Sequence, residues 1–171
     1  MNTQSLLLAG LLAASVAGAA QADVVFSQPA ATAGAHWAGV LRVSHGCDGS
    51  ATTSVRVEIP AGIIVARPRP KAGWTIAIER APLATPVSAE GGAVLTERVA
   101  AITWTGRLPD DQFEEFGVAA KLPATPGPLA FPVIQTCERG EARWTETAVA
   151  GGPRPAHPAP VLTLSDGAAH H

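Results

Sequence analysis

The feature that most constrains this chain is its pair of cysteines. Cys47 sits in Ser44-His45-Gly46-Cys47-Asp48-Gly49-Ser50, and Cys137 sits far downstream in Gln135-Thr136-Cys137-Glu138-Arg139-Gly140. If the two bond, they clamp an early loop to a late one. Closing a loop of roughly 90 residues would then stabilise the fold by about 4 kcal/mol on the chain-entropy argument. Everything between them would belong to one domain. Whether a disulfide persists depends on the compartment, which turns the reading to the first residues.

Leu6 to Gly18 is an apolar run of Leu, Ala, Val and Gly, too short to span a bilayer and followed by Ala20-Gln21-Ala22, a small-x-small cleavage site. Residues 1–22 therefore read as a secretory signal peptide, although the n-region carries no Lys or Arg. The mature chain is expected to begin at Asp23, in the periplasm or another exported, oxidising space. Residues 23–165 are expected to form one β domain, and residues 166–171 a flexible tail ending in His170-His171.

Composition favours a β fold. Gly (17) and Pro (15) are frequent, only 15% of residues are charged, and no long segment keeps a 3.6-residue hydrophobic period. A net charge of −2 gives no electrostatic basis for binding nucleic acid or an anionic membrane. Short strands cut by turn chemistry run the length of the chain. Trp37, Gly39, Leu41 and Val43 share one face of Trp37 to Val43, with Ala38, Val40 and Arg42 on the other. Val55, Val57 and Ile59 alternate with Ser54, Arg56 and Glu58, the pattern of a strand with one wet face.

The remaining segments follow the same logic. Arg67 to Gly73 is a basic, extended segment whose prolines exclude it from a sheet interior. Trp74 to Glu79 and Val99 to Trp104 read as strands, and Ala81 to Gly92, rich in Pro, Ala and Gly, as a loop. Phe113 to Leu122 is the next extended run. Leu129 to Gln135 reads as a buried strand that Pro132 marks as an edge or a bulge. Ala142 to Val149 and Val161 to Leu164 follow. About ten such strands without helices predict an antiparallel β-sandwich, with Trp37, Trp74 and Trp104 as core anchors.

Several blocks together resemble the YcnI-like copper-binding domain of bacteria. They are His45-Gly46-Cys47-Asp48-Gly49-Ser50, Ile59-Pro60-Ala61-Gly62, Arg69-Pro70-Lys71-Ala72-Gly73-Trp74, Leu108-Pro109-Asp110-Asp111 with Glu115-Phe116, and Phe131 to Gly140 with Arg143-Trp144. The resemblance covers nearly the whole mature chain. It implies an exported domain of copper trafficking or homeostasis, an immunoglobulin- or cupredoxin-like sandwich, and a disulfide between Cys47 and Cys137. It also implies a Cu(II) brace of terminal amine, terminal histidine imidazole, a glutamate and a nearby tryptophan.

By position the glutamate is Glu115 and the tryptophan is Trp144, but the histidine is replaced by Asp23. No histidine lies between Ala17 and Ala35, so a shifted cleavage site does not supply one. An amine with carboxylates is a harder, less copper-selective donor set than amine with imidazole, and weaker Cu(II) binding is expected. Trp144 is expected to exclude water from the metal rather than to ligate it. His45 is expected to be structural and His36 exposed, while His170-His171 could capture metal as a flexible adjunct.

No catalytic constellation is present: there is no Gly-x-Ser-x-Gly, Cys-x-x-Cys or His-Glu-x-x-His, and the chain is expected not to be an enzyme. The expected partners are copper and other periplasmic copper-handling proteins, with no nucleic acid and no small-molecule substrate. The rival expectation is a periplasmic interaction or scaffold module without strong metal binding.

Overall fold

The computed structural model describes residues 24–167. The expected signal peptide, Asp23 and His170-His171 lie outside them. The strands are β1 (Val25–Phe26), β2 (Ala30–Thr32), β3 (His36–Val43), β4 (Thr52–Glu58), β5 (Ala66–Pro68), β6 (Thr75–Ser88), β7 (Val94–Leu108), β8 (Glu114–Lys121), β9 (Gly127–Ala130), β10 (Val133–Cys137), β11 (Glu141–Trp144) and β12 (Val161–Ser165). They form a four-stranded sheet in the order β1-β3-β8-β5, a five-stranded sheet in the order β11-β10-β4-β7-β6, and a small sheet β2-β12-β9. Every pairing among these strands is antiparallel except that of β12 with β2.

The alternation seen in the sequence decides which faces meet. Leu41 and Val43 on β3 and Phe116 and Val118 on β8 are buried, as are Val55 and Val57 on β4, Ile102 and Trp104 on β7, and Val133 on β10. These side chains form one core cluster, the inner layer of a sandwich. Each such side chain, fully buried, contributes about 1.5–3 kcal/mol. Two aromatic groups sit within it. Phe26 meets Phe131 at 5.0 Å and Trp37 at 5.6 Å, and Phe116 meets Trp74 at 5.0 Å and Trp104 at 5.4 Å. Trp104 is fully buried, whereas Trp37 and Trp74 pack against the core from partly exposed positions.

Cys47 and Cys137 are bonded, with Cα atoms 6.0 Å apart across a sequence separation of 90. Local chemistry prepares the Cys47 end. Cys47 and Ser50 exchange two backbone hydrogen bonds around Asp48 (φ 45°) and Gly49 (φ 78°), so both central residues of the turn are left-handed. Asp-Gly is the favoured pair for that geometry. Beside it, the Glu138 amide donates to the Ala51 carbonyl and the Arg139 amide to Ser50 Oγ, so the residues that follow the two cysteines are stitched together next to the disulfide.

Val99 to Trp104 is only the middle of the longer strand β7, and three further segments differ from the sequence reading. Ala81 to Gly92 is not a loop: β6 continues to Ser88, pairs with β7 as far as Ser88↔Val94, and turns only at residues 89–93. The outer part of this ribbon is largely exposed, so no buried face imposes period-2 alternation. Leu129 to Gln135 is two strands rather than one. β9 belongs to the small sheet and β10 lies between β11 and β4, with Phe131-Pro132 at the switch, so Pro132 precedes an interior strand instead of marking an edge. Ala142 to Val149 is strand only through Trp144.

Candidate functional site

The registers of β1, β3 and β8 place Val25, Arg42 and Glu115 in one row across the four-stranded sheet. Val24, Phe26, Leu41 and Phe116 are buried, so the alternating positions Ser27, Arg42 and Glu115 face outward. Ser27 Oγ donates to Glu115 Oε1 at 3.2 Å. The first described strand thus runs two strands away from Glu115, and Ser27, the residue that follows it, is hydrogen-bonded to that carboxylate. Arg42 occupies the position between them.

The adjacent carboxylate has a different role. Glu114 pairs with Lys71 Nζ at 2.6 Å and accepts the Glu115 amide at 2.8 Å. Burial pushes its carboxyl up, but the Lys71 ammonium and the Glu115 N–H outweigh that, and the group titrates below its ordinary range. Lys71 in turn lies 5.5 Å over the Phe116 ring. The sequence reading did not pair Lys71 with Glu114, because 43 positions separate them and only the fold brings them together.

Trp144 is not beside Glu115. It is a core residue at the edge of the five-stranded sheet, 4% exposed, and its indole N–H donates to Gln135 Oε1 at 3.1 Å. Gln135 Nε2 donates to the His45 carbonyl at 2.7 Å and to Thr52 Oγ1 at 2.8 Å, so a buried polar side chain is satisfied on every side. Trp144 therefore walls this network next to the disulfide loop, while the carboxylate of Glu115 lies on the solvent side of the opposite sheet. His45 contributes its backbone carbonyl to this network, and the His36 side chain is exposed. Asp23 lies outside the described residues. Among the described residues no three His, Cys, Asp or Glu side chains are grouped to hold a metal ion.

No curated protein matches the chain. A solved structure described as an uncharacterized protein from Nocardia farcinica with an immunoglobulin-like fold is similar, with 28% sequence identity and a TM-score of 0.65. The similarity covers 84% of this chain and 98% of that one. Residues 23–164 match the family described as a domain of unknown function, DUF1775. The all-β sandwich with its Cys47–Cys137 bond and that match over most of the sequence make this chain a member of DUF1775, the family of YcnI-like proteins.

Proposed function

We propose that the protein is an exported copper-binding domain of copper trafficking or homeostasis, holding Cu(II) through the terminal amine and carboxylate of Asp23 together with Glu115. The observation that supports this reading is the row Val25–Arg42–Glu115, which sets the start of β1 along the same stretch of sheet as the glutamate. Among the described residues, the Glu115 carboxylate has only the Ser27 hydroxyl and is otherwise exposed to solvent. Such a donor set is hard and oxygen-rich, which suits a cation but selects copper less sharply than imidazole does. Arg42, in the row between, opposes the cation. Trp144 takes no part in this site.

Titration of the chain beginning at Asp23 with Cu(II), followed by EPR, tests the reading. Stoichiometric binding is expected, weakened at least tenfold by Glu115→Gln and by a one-residue extension before Asp23. Binding that neither change affects overturns the site. Arg42 beside Glu115 favours a second reading, a sandwich serving as an interaction module in the same compartment. It is distinguished by no copper uptake at micromolar concentration.

A further inference from the structure

The ribbon of β6 and β7 does more than close one edge of the five-stranded sheet. Its pairing shifts between Pro82 and Val87, and beyond that point the ribbon reaches across to the other sheet. At its tip Glu90 contacts His36 on β3 at 3.3 Å and Lys121 on β8 at 3.4 Å. The ribbon is thus latched over the outer face of the four-stranded sheet and roofs a groove of about 770 Å³. Small-molecule sites run from roughly 300 to 1,000 Å³.

The lining explains why the space exists. The floor is Ala38 and Ala119, directly paired in register, so two methyl groups stand where larger side chains would fill the gap. Ile64 and Val65 close one side, and Val87 and Leu95 hang from the ribbon. The polar side chains of the lining are His36, Arg67, Ser88, Glu90 and Lys121. His36 and Lys121 are engaged by Glu90, whereas Arg67, paired in register with Ala119, has no hydrogen-bond or ion-pair partner among the described residues. An apolar trough with one uncompensated guanidinium at its edge is complementary to a ligand with an apolar body and a carboxylate head, which the planar fork of arginine binds in bidentate fashion.

We infer that this groove binds an amphiphilic anion, a carboxylate with a medium-length apolar chain lying between the ribbon and the Ala38–Ala119 floor, its head on Arg67. The inference is independent of the copper reading, since the groove contains neither Glu115 nor the start of β1.

The test uses the full mature chain with decanoate and decanol as probes, below the concentrations at which they aggregate. Calorimetry gives affinity, and backbone amide shifts give location. Decanoate is expected to bind one to one, with shifts at residues 36–38, 87–95 and 119–121, and decanol at least tenfold more weakly. Arg67→Ala is expected to bring decanoate to the level of decanol, and Arg67→Lys to restore part of the loss. Ala119→Leu, at an exposed strand position, fills the trough and is expected to abolish binding of both. Absence of saturable decanoate binding, shifts elsewhere on the molecule, or equal affinity for the two probes overturns the inference. Decanoate binding that survives Arg67→Ala unchanged does so too.

Discussion

Trp144 and Gln135, nine residues apart on the hairpin of β10 and β11, are joined through the core by a 3.1 Å hydrogen bond from the indole N–H to the amide oxygen. Gln135 is 1% exposed and serves three partners: the Trp144 N–H, the His45 carbonyl and the Thr52 hydroxyl. Through it the interior of the five-stranded sheet is tied to the loop that carries Cys47.

Removing the amide leaves an indole N–H and a backbone carbonyl buried without partners, each at a cost of about 1–3 kcal/mol. Gln135→Ala is therefore expected to destabilise the protein by about 3 kcal/mol or more, counting the small cavity it also leaves. Trp144→Phe, which removes only the N–H and part of the ring, is expected to cost less. Urea denaturation followed by circular dichroism ranks the two. An equal or inverted ranking would mean that Trp144 contributes through packing and not through this bond.

The disulfide closes a loop that contains strands of both sheets, so its effect is felt by the whole sandwich. Replacing both cysteines by alanine is expected to lower stability by about 2–5 kcal/mol. The flanking bonds from Glu138 to Ala51 and from Arg139 to Ser50 lie outside the covalent link, so the reduced chain is still expected to fold at low temperature. Melting with and without reductant measures the difference. A variant lacking both cysteines that melts with the oxidised protein would sink this expectation.

Glu114 gives a pH dependence with a definite sign. Its folded-state carboxyl lies below the ordinary value of 4.5, burial being outweighed by Lys71 and the Glu115 amide. A depressed folded value means the folded chain binds that proton more weakly than the unfolded one. Its contribution is then present above about pH 4.5 and is lost as pH falls through the lower, folded value. Because the carboxylate is 34% exposed, the effect is expected to stay below about 1 kcal/mol. Other carboxylates titrate in the same range, so the measurement is a difference. Wild type should lose stability more steeply than Glu114→Gln below about pH 4.5, and parallel curves would remove Glu114 from the account.

Close approach of an indole to a glycine backbone makes another test. A Cβ on Gly106 of β7 would stand 2.3 Å from Cδ2 of Trp74, the ring that meets Phe116 edge-on. Gly106→Ala must displace that ring, at a cost of about 1–3 kcal/mol typical of overpacking. Trp74 fluorescence, read in a chain whose other tryptophans are replaced by phenylalanine, is expected to shift to longer wavelength as the ring leaves its contact. An unshifted spectrum with unchanged stability would contradict the packing described.

What the sequence made legible follows from which residues have a buried face. Val55, Val57 and Ile59 alternate because their strand has one side in the core, and that alternation was sufficient to identify it. The outer half of β6 offers no such signal: it lies in a ribbon wet on most positions, and Pro82 and Pro86 imitate a loop. Asp48-Gly49 is a short-range signal for the tight turn at the Cys47 loop. Glu115 faces outward from β8, and its neighbours Ser27 and Arg42 come from registers that no local pattern encodes. Trp144 resembled a pocket wall by position in its family, but its N–H is directed by Gln135, whose partners His45 and Thr52 arrive from the other end of the disulfide loop.

The latch at the ribbon tip is expected to control local opening rather than global stability. His36, Lys121 and Glu90 are all well exposed, at 71%, 48% and 74%, so the Lys121–Glu90 ion pair and the His36–Glu90 contact are screened by water and salt and add little to the stability of the sandwich. They nevertheless join two sheets at a point where the ribbon has left its own. Glu90→Gln is expected to leave the melting temperature unchanged while speeding amide exchange at residues 86–95 several-fold, with β4 and the base of β7 unaffected. Added salt should reproduce the effect in the unaltered protein and do nothing further to the variant. Exchange that stays slow in Glu90→Gln would show that the apolar side chains under the ribbon, and not its charged tip, hold it down.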